Sequence, residues 1–217
     1  MHTNLALESV VVSVAVLMYH SIGDTATGTQ EYDDADFTVS EANFVRQLEY
    51  LRNQGFSSCR LEDLDSCWLS NEKKIVISFD DGHISDVKTA LPLLSKYGFT
   101  AEFFVTTDWI GGPNYLAETD IRTLSDAKMG IGSHGASHRF FNDMSYEEAA
   151  TELENSLSRL REITGKPINR FSAPGGRLPA KLPALAKEHS IELICTSAIG
   201  MSSASNFPNK IPRFAIR

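Results

Sequence analysis

The stretch KKIVISFDDG, residues 73–82, joins an apolar run directly to two adjacent carboxylates and a glycine. Residues 75–79 are mostly β-branched or aromatic, which predicts a buried β-strand. The DDG that follows has the composition of a turn. A lone motif of this kind is most often only a turn. Other features of the sequence are therefore needed to assign a chemical role to Asp80 and Asp81.

Strand-like and helix-like segments alternate along the chain. The patterns predict strands at 10–19, 75–79, 100–107, 129–135, 168–176, 191–197 and 211–217, and helices at 40–55, 85–98, 145–165 and 178–190. Pro92 predicts a kink in the second helix. This order, without a linker or repeat, predicts one α/β domain spanning 1–217 with a parallel sheet or barrel. Such folds carry their chemistry at the carboxyl ends of strands, where Asp80 and Asp81 lie.

Composition excludes several classes of partner. The 217 residues carry a net charge of −8, which argues against binding nucleic acid or an anionic membrane, because both require clustered Lys and Arg. The apolar run at 10–19 is too short to span a bilayer and lacks the flanks of a signal peptide. We therefore expect a cytoplasmic protein, or a secreted or periplasmic one if a leader was removed. Cys59, Cys67 and Cys195 sit among apolar neighbours, which predicts buried free thiols.

Two histidines follow the short strand that ends in MGIG. His134 and His138 in GSHGASH are four residues apart, a spacing that brings both side chains to one side of a helical turn. With Asp81 as third ligand they would form a three-ligand site for a divalent metal, and Asp80 would be free to act as a base. Adjacent residues on an extended chain point in opposite directions, so a turn is needed, and Gly82 permits it. Surface or loop histidines are the alternative.

At these residues the chain resembles the polysaccharide deacetylases, the carbohydrate esterase group related to chitooligosaccharide deacetylases. The similar stretches, in the expected order from about residue 16 onward, are VLMYHSI, SFDDG, TAEFFV, SHGASH, FSAPGG, TSAIG and IPRFAIR. The resemblance implies a distorted, incomplete (β/α) barrel of about seven strands and a divalent metal, most often Zn²⁺. It also implies Asp80 as general base and Asp81, His134 and His138 as metal ligands.

The chain departs from the family at three motifs. Ser172 stands where many members carry an arginine, and CTSAIG has neither the acid nor the tryptophan that accompanies that arginine. Arg213 in IPRF could replace it in orienting Asp80 and is grouped with the substrate-binding residues, although a surface or structural arginine is the favoured alternative. The family's late histidine is also missing. His20, at the end of the first predicted strand, is our candidate for the general acid, with a structural histidine as alternative.

These expectations converge on a metal-dependent hydrolase that removes N-acetyl groups from an amino sugar or polysaccharide. Pro174, Gly175 and Gly176 are expected to bind the carbohydrate substrate, because glycines allow a close approach of the backbone. One alternative is a deacylase acting on another amide or ester, such as a formyl group on a lipid-linked sugar. The other is a non-catalytic sugar-binding barrel. The sequence does not determine the oligomeric state.

Overall fold

The computed structural model describes residues 13–23, 34–68 and 70–217. Its strands are β1 (Ala15–Tyr19), β2 (Ser21–Ile22), β3 (Thr38–Val39), β4 (Ser57–Ser58), β5 (Lys74–Phe79), β6 (Glu102–Val105), β7 (Gly130–Ser133), β8 (Arg170–Ser172), β9 (Leu193–Cys195) and β10 (Phe214–Ala215). Its α-helices are α1 (Glu41–Asn53), α2 (Leu64–Cys67), α3 (Leu91–Tyr97), α4 (Glu118–Asp126), α5 (Tyr146–Thr164) and α6 (Leu182–Glu188).

The main sheet is a curled half-barrel of parallel strands, as the sequence predicted. Seven strands follow one another in the order β10-β1-β5-β6-β7-β8-β9, and β4 pairs with the beginning of β5. Every pairing is parallel, and the register aligns Tyr19 of β1 with Phe79 of β5. A single parallel bridge between Cys195 and Ile211 brings the segment before β10 beside β9. The carboxyl ends of all these strands therefore share one edge.

Alternate residues of β5, β6 and β9 enter two separate apolar clusters. Ile75, Ile77 and Phe79 of β5 belong to the larger cluster, together with apolar residues of α1, α3, α4, α5 and α6. Val76 of β5 and Phe104 of β6 belong to the smaller cluster, inside the curved sheet. This two-residue period follows from the pleat of a strand. It means that the even-numbered residues of β5, and Asp80 after them, face the interior.

The predicted helices are present with shorter bounds, and local features explain where two of them begin. Ser145 accepts a hydrogen bond from the backbone N–H of Glu148, whose carboxylate accepts one from the N–H of Ser145, so the predicted capping box of α5 is confirmed. Pro92 lies in the first turn of α3, after a π-helical turn at Asp86–Ala90, where its missing N–H costs little. Helix α4 was not predicted from the sequence. Within the described residues, no helix is long and apolar enough to cross a membrane.

A buried ion cluster fills the interior at the amino ends of the strands. Glu102 of β6 has no exposed surface and accepts hydrogen bonds from Arg60 at 2.7 Å and Arg170 at 2.6 Å. Burial alone raises the pKa of Glu102, but the charges of Arg170 and Arg60 outweigh it and hold the pKa below its usual range. Gly130 of β7 faces this cluster, and a Cβ there would overlap the Glu102 carboxylate. The cluster thus requires glycine at this position.

The three cysteines are free and buried, which confirms that prediction. The part of the predicted first strand at residues 10–12 lies outside the described residues. That the chain forms a single domain over 1–217 stays a prediction.

Candidate active site

Asp80 follows β5 and continues its inward-facing series. Its residue exposure is only 2%, and its backbone N–H donates to the carbonyl of Tyr19 in the neighbouring strand at 2.9 Å. Burial by itself raises the pKa of this carboxyl, but the positive charges of Arg213 and His134 more than offset it and lower the pKa to about 2. Asp80 is therefore an ionised carboxylate held in an otherwise solvent-poor interior.

The predicted turn after Asp80 is made by two left-handed residues. Asp81 has φ 78° and Gly82 has φ 81°. Glycine adopts this region freely, whereas it is sparsely populated for an aspartate, so strain is concentrated at Asp81. The turn is held by two backbone hydrogen bonds: the N–H of Thr106 donates to the carbonyl of Asp81 at 3.3 Å, and the N–H of Leu116 donates to that of Gly82 at 3.0 Å. As a result, neighbouring carboxylates reach the same site.

His134 and His138 converge, although not on a helical turn as the sequence analysis assumed. His134 follows β7, and the chain then passes through Gly135 with φ 82° and returns at His138 with φ 63°. The ring centroids of the two histidines are 5.0 Å apart. Nδ1 of His134 bonds the carbonyl of Ser172 at 2.8 Å, so Nδ1 carries the proton and Nε2 of the neutral ring keeps its lone pair.

Three potential ligand atoms meet in front of Asp80. Oδ1 of Asp81 lies 3.3 Å from Nε2 of His134 and 3.4 Å from Nε2 of His138. This oxygen is buried and has no hydrogen-bond partner among the described residues. Ligands tetrahedrally arranged at about 2.0–2.2 Å from zinc are separated by about 3.3–3.6 Å. Within the described residues, Asp81, His134 and His138 are the one group of at least three acidic, histidine or cysteine side chains with ligand atoms this close. The set fits a divalent metal ion.

Electrostatic coupling within this group matches its geometry. Burial raises the pKa of Asp81, and the adjacent imidazoles of His134 and His138 outweigh it and hold the pKa well below its usual range. Burial lowers the pKa of His134, and the charges of Asp80 and Asp81 raise it above its usual value. In their deprotonated forms the three side chains offer one negative charge and two imidazole lone pairs in one confined space, which suits a cation.

Arg213 is not a surface residue. Its side chain is fully buried, and its Nη1 and Nη2 donate to Oδ1 and Oδ2 of Asp80, each at 2.7 Å. Nε donates to the carbonyl of Thr196 at 2.9 Å, and the guanidinium lies 5.7 Å from the ring centroid of Phe104. The surface-arginine interpretation is therefore wrong. The guanidinium has no exposed surface with which to contact a substrate, and its position fits the alternative task of orienting Asp80.

His20 lies near both carboxylates at the end of β1. It is close enough to contribute to the electrostatic environment of both Asp80 and Asp81, and its ring packs against Phe37 with centroids 4.7 Å apart. Its Nδ1 is buried and has no hydrogen-bond partner among the described residues. The structure thus places His20 beside the other site residues, and its role as general acid stays a prediction.

The turn Pro174–Gly176 follows β8 on the same edge of the sheet. Pro174 is buried, and Gly175 and Gly176 adopt φ 64° and 67°. A Cβ at Gly175 would approach Phe140 to 2.7 Å, and one at Gly176 would overlap Ser197. Packing against Phe140 and Ser197 is therefore enough to explain why glycine occupies both positions. Contact of these glycines with a substrate stays a prediction.

Two further residues lie beside the site and were not predicted from the sequence. Trp109 stacks on His138 with ring centroids 4.9 Å apart and an interplanar angle of 29°. Asp86, in the π-helical turn, is fully buried, and neither of its oxygens has a hydrogen-bond partner among the described residues. Asp86 lies in a helix-like pattern of ordinary composition, so only its neighbours in space distinguish it. The single signal for Trp109 was its position soon after a predicted strand.

Comparison with known proteins agrees with this architecture. The Polysaccharide deacetylase family profile matches residues 70–194, more than half of the chain. The protein YxkH of Bacillus subtilis (strain 168) is 24% identical over 193 residues, which cover 87% of this chain and 66% of that protein. The chain thus spans just under two thirds of this relative's length.

Two solved structures share the fold. The Streptococcus pyogenes deacetylase PplD, solved in complex with acetate, superposes with a TM-score of 0.83 at 23% identity, covering 94% of this chain and 92% of PplD. A polysaccharide deacetylase from Bacillus cereus superposes with a TM-score of 0.80 at 27% identity, covering 93% of this chain and 64% of that one.

Proposed function

Because the chain belongs to the polysaccharide deacetylase family, we propose that it is a metal-dependent hydrolase that removes N-acetyl groups from an amino sugar or polysaccharide. The observation that carries this proposal is the convergence of Asp81, His134 and His138 around one point, with the ionised Asp80 directly behind them. A non-catalytic sugar-binding barrel would not require the strained backbone at Asp81 or a second buried carboxylate next to it.

Asp81, His134 and His138 would hold the metal, which we propose to be Zn²⁺, since two imidazoles and one carboxylate suit this ion. When bound, such an ion acts as a Lewis acid on the acyl carbonyl and on water. The hydrogen bond from Nδ1 of His134 to Ser172 would fix the orientation of that ligand ring.

Asp80 would take the proton from the attacking water. Its pKa of about 2 keeps it ionised, the form that accepts a proton, throughout the neutral range. Arg213 would hold the plane of this carboxylate through its two parallel hydrogen bonds, and would thus serve in place of the arginine that many family members carry at position 172. We therefore assign Arg213 to positioning rather than to substrate binding.

His20 would donate a proton to the departing nitrogen. Its location at the end of β1, next to both carboxylates, supports this role, because a general acid must lie close to the reacting groups. Pro174, Gly175 and Gly176 would line the carbohydrate site on the same edge of the sheet.

The test is acetate release from N-acetylglucosamine oligomers by metal-stripped protein and by the same protein given zinc. We expect release only with zinc, abolished in Asp80→Asn and unchanged in Asp126→Asn, which alters an exposed aspartate of α4. Zinc binding without acetate release would favour a deacylase for another amide or ester. Sugar binding with neither zinc binding nor release would favour the non-catalytic barrel.

A further inference from the structure

Ser172 makes three hydrogen bonds to three different residues of the candidate active site. Its side chain has no exposed surface, and it ends β8 on the inward face of the sheet. The hydroxyl lies 3.0 Å from Oδ2 of Asp80 and 2.8 Å from Nη2 of Arg213. The carbonyl accepts the hydrogen bond from Nδ1 of His134 at 2.8 Å. One residue thus contacts the proposed base, its arginine and a proposed metal ligand.

The chemistry of these groups determines where the hydroxyl proton points. A guanidinium has only donors, so the hydroxyl oxygen must accept from Arg213. Its single hydrogen is then directed at Asp80, which is ionised and accepts only. Ser172, Asp80 and Arg213 therefore form a closed triangle in which Oδ2 of Asp80 accepts from both partners. The carboxylate can rotate only by breaking hydrogen bonds inside a buried site, where each is expensive to lose.

We infer that Ser172 is a positioning residue that fixes Asp80 relative to the metal-binding histidine. Its hydroxyl restrains the carboxylate, and its carbonyl restrains His134, whose Nε2 lies 4.0 Å from Oδ2 of Asp80. Because hydroxyl and carbonyl belong to one residue of a paired strand, the separation of base and ligand is set by the backbone of β8. This inference rests on the proposed function, since it assigns Asp80 the role of base.

The hydroxyl and the carbonyl can be separated experimentally. Ser172→Ala removes the hydroxyl and leaves the carbonyl bond to His134 in place. We expect kcat to fall about tenfold or more, because small displacements of a catalytic group are costly. KM and zinc affinity should remain within about twofold of the wild-type values, because the substrate contacts and the ligand set are unchanged. Ser172→Thr, which restores a hydroxyl, should recover much of the lost kcat.

Ser78→Ala is the matched control. Ser78 is equally buried and contacts Arg213 at 3.3 Å, but its hydroxyl donates to the carbonyl of Leu17 and makes no bond to Asp80. An equal loss of kcat in Ser78→Ala and Ser172→Ala would overturn the inference, because it would indicate a general effect on the interior. A fall in zinc affinity in Ser172→Ala as large as the fall in kcat would also overturn it.

A measurement without turnover checks the same geometry. Effects of Ser172→Ala and Arg213→Lys on the urea midpoint of the zinc-free protein should be non-additive, because the two side chains share a hydrogen bond. Additive effects would contradict the triangle. If Ser172→Ala, Ser172→Thr and Ser78→Ala all released acetate with the wild-type kcat, the positioning role would be overturned and the proposed function would stand. No release by the wild-type protein would count against the proposed function and therefore also against this role.

Discussion

Arg213 and Asp80, 133 residues apart in sequence, form a bidentate ion pair with both N–O distances at 2.7 Å inside the half-barrel. Neither residue is more than 2% exposed. A buried pair gains little over a well-packed apolar pair, but the loss of one member leaves an uncompensated charge. The stability of the whole domain should therefore depend on this contact.

Replacing Arg213 with Met should lower the free energy of unfolding by about 3–5 kcal/mol, because Asp80 would keep a buried and unpaired charge. Urea unfolding at pH 7 measures this change. Arg52→Met, at an exposed position near the end of α1, is the control and should change stability by less than about 0.5 kcal/mol. Combining Arg213→Met with Asp80→Asn should recover part of the loss. An Arg213→Met protein as stable as the wild type would refute the structural importance of the pair.

Asp86→Asn should stabilise the metal-free protein at neutral pH. Burial, and then the negative charges of Asp81 and Asp80, hold the pKa of Asp86 well above its usual range. An acid with a raised pKa in the folded state contributes stability that is fully present below the unfolded pKa of about 4 and is lost as pH rises toward the folded value. The asparagine variant has no such loss.

The Asp86→Asn variant should thus exceed the wild type by about 1 kcal/mol or more at pH 7, in urea unfolding with EDTA present, and the difference should disappear near pH 4. Asp126→Asn, on the surface of α4, should show no pH-dependent difference. Equal stability of Asp86→Asn and wild type across this range would mean that Asp86 titrates normally.

Gly130→Ala should be severely destabilising, because its Cβ would overlap the carboxylate of Glu102 and press on Arg60. The backbone at Gly130 does not have a positive φ, so the effect would come from the ion cluster rather than from conformation. Gly200→Ala is the matched control, since its nearest neighbour would be Pro212 at 3.5 Å, an ordinary contact. Thermal unfolding should show a large loss for the first variant only; similar melting temperatures would contradict the crowding at Gly130.

Zinc affinity should depend on the three converging side chains. Asp81→Ala and His138→Ala should each weaken zinc binding by at least about 100-fold, because a three-ligand set loses a direct ligand. His189→Ala, which removes a histidine bonded to Glu154 on the helical layer, should leave it unchanged. Isothermal titration calorimetry measures the zinc affinity of each variant. Equal affinity in all three variants would mean that zinc binds elsewhere in the protein.

The sequence was informative where function and local pattern coincide. Asp80, Asp81 and His134 were predicted together because each follows a recognisable strand, and parallel strands end on one edge. The burial of Arg213 could not be predicted, since IPRF has the same local pattern whether its arginine faces solvent or the interior. The return of His138 through two left-handed residues was missed because a four-residue spacing also suits a helical turn.

The pairing of Asp80 with Arg213 has a consequence for how this protein acquires its structure. Asp80 directly follows β5 in the first half of the chain, whereas Arg213 lies in the segment that leads into β10. Contacts of such large sequence separation require a large loop to close and are slow to form. Until that segment docks, water must solvate the Asp80 carboxylate, so the interior at the carboxyl edge of the sheet has to remain hydrated. Water would then be excluded from this part of the interior in the same late folding step in which Arg213 pairs with Asp80.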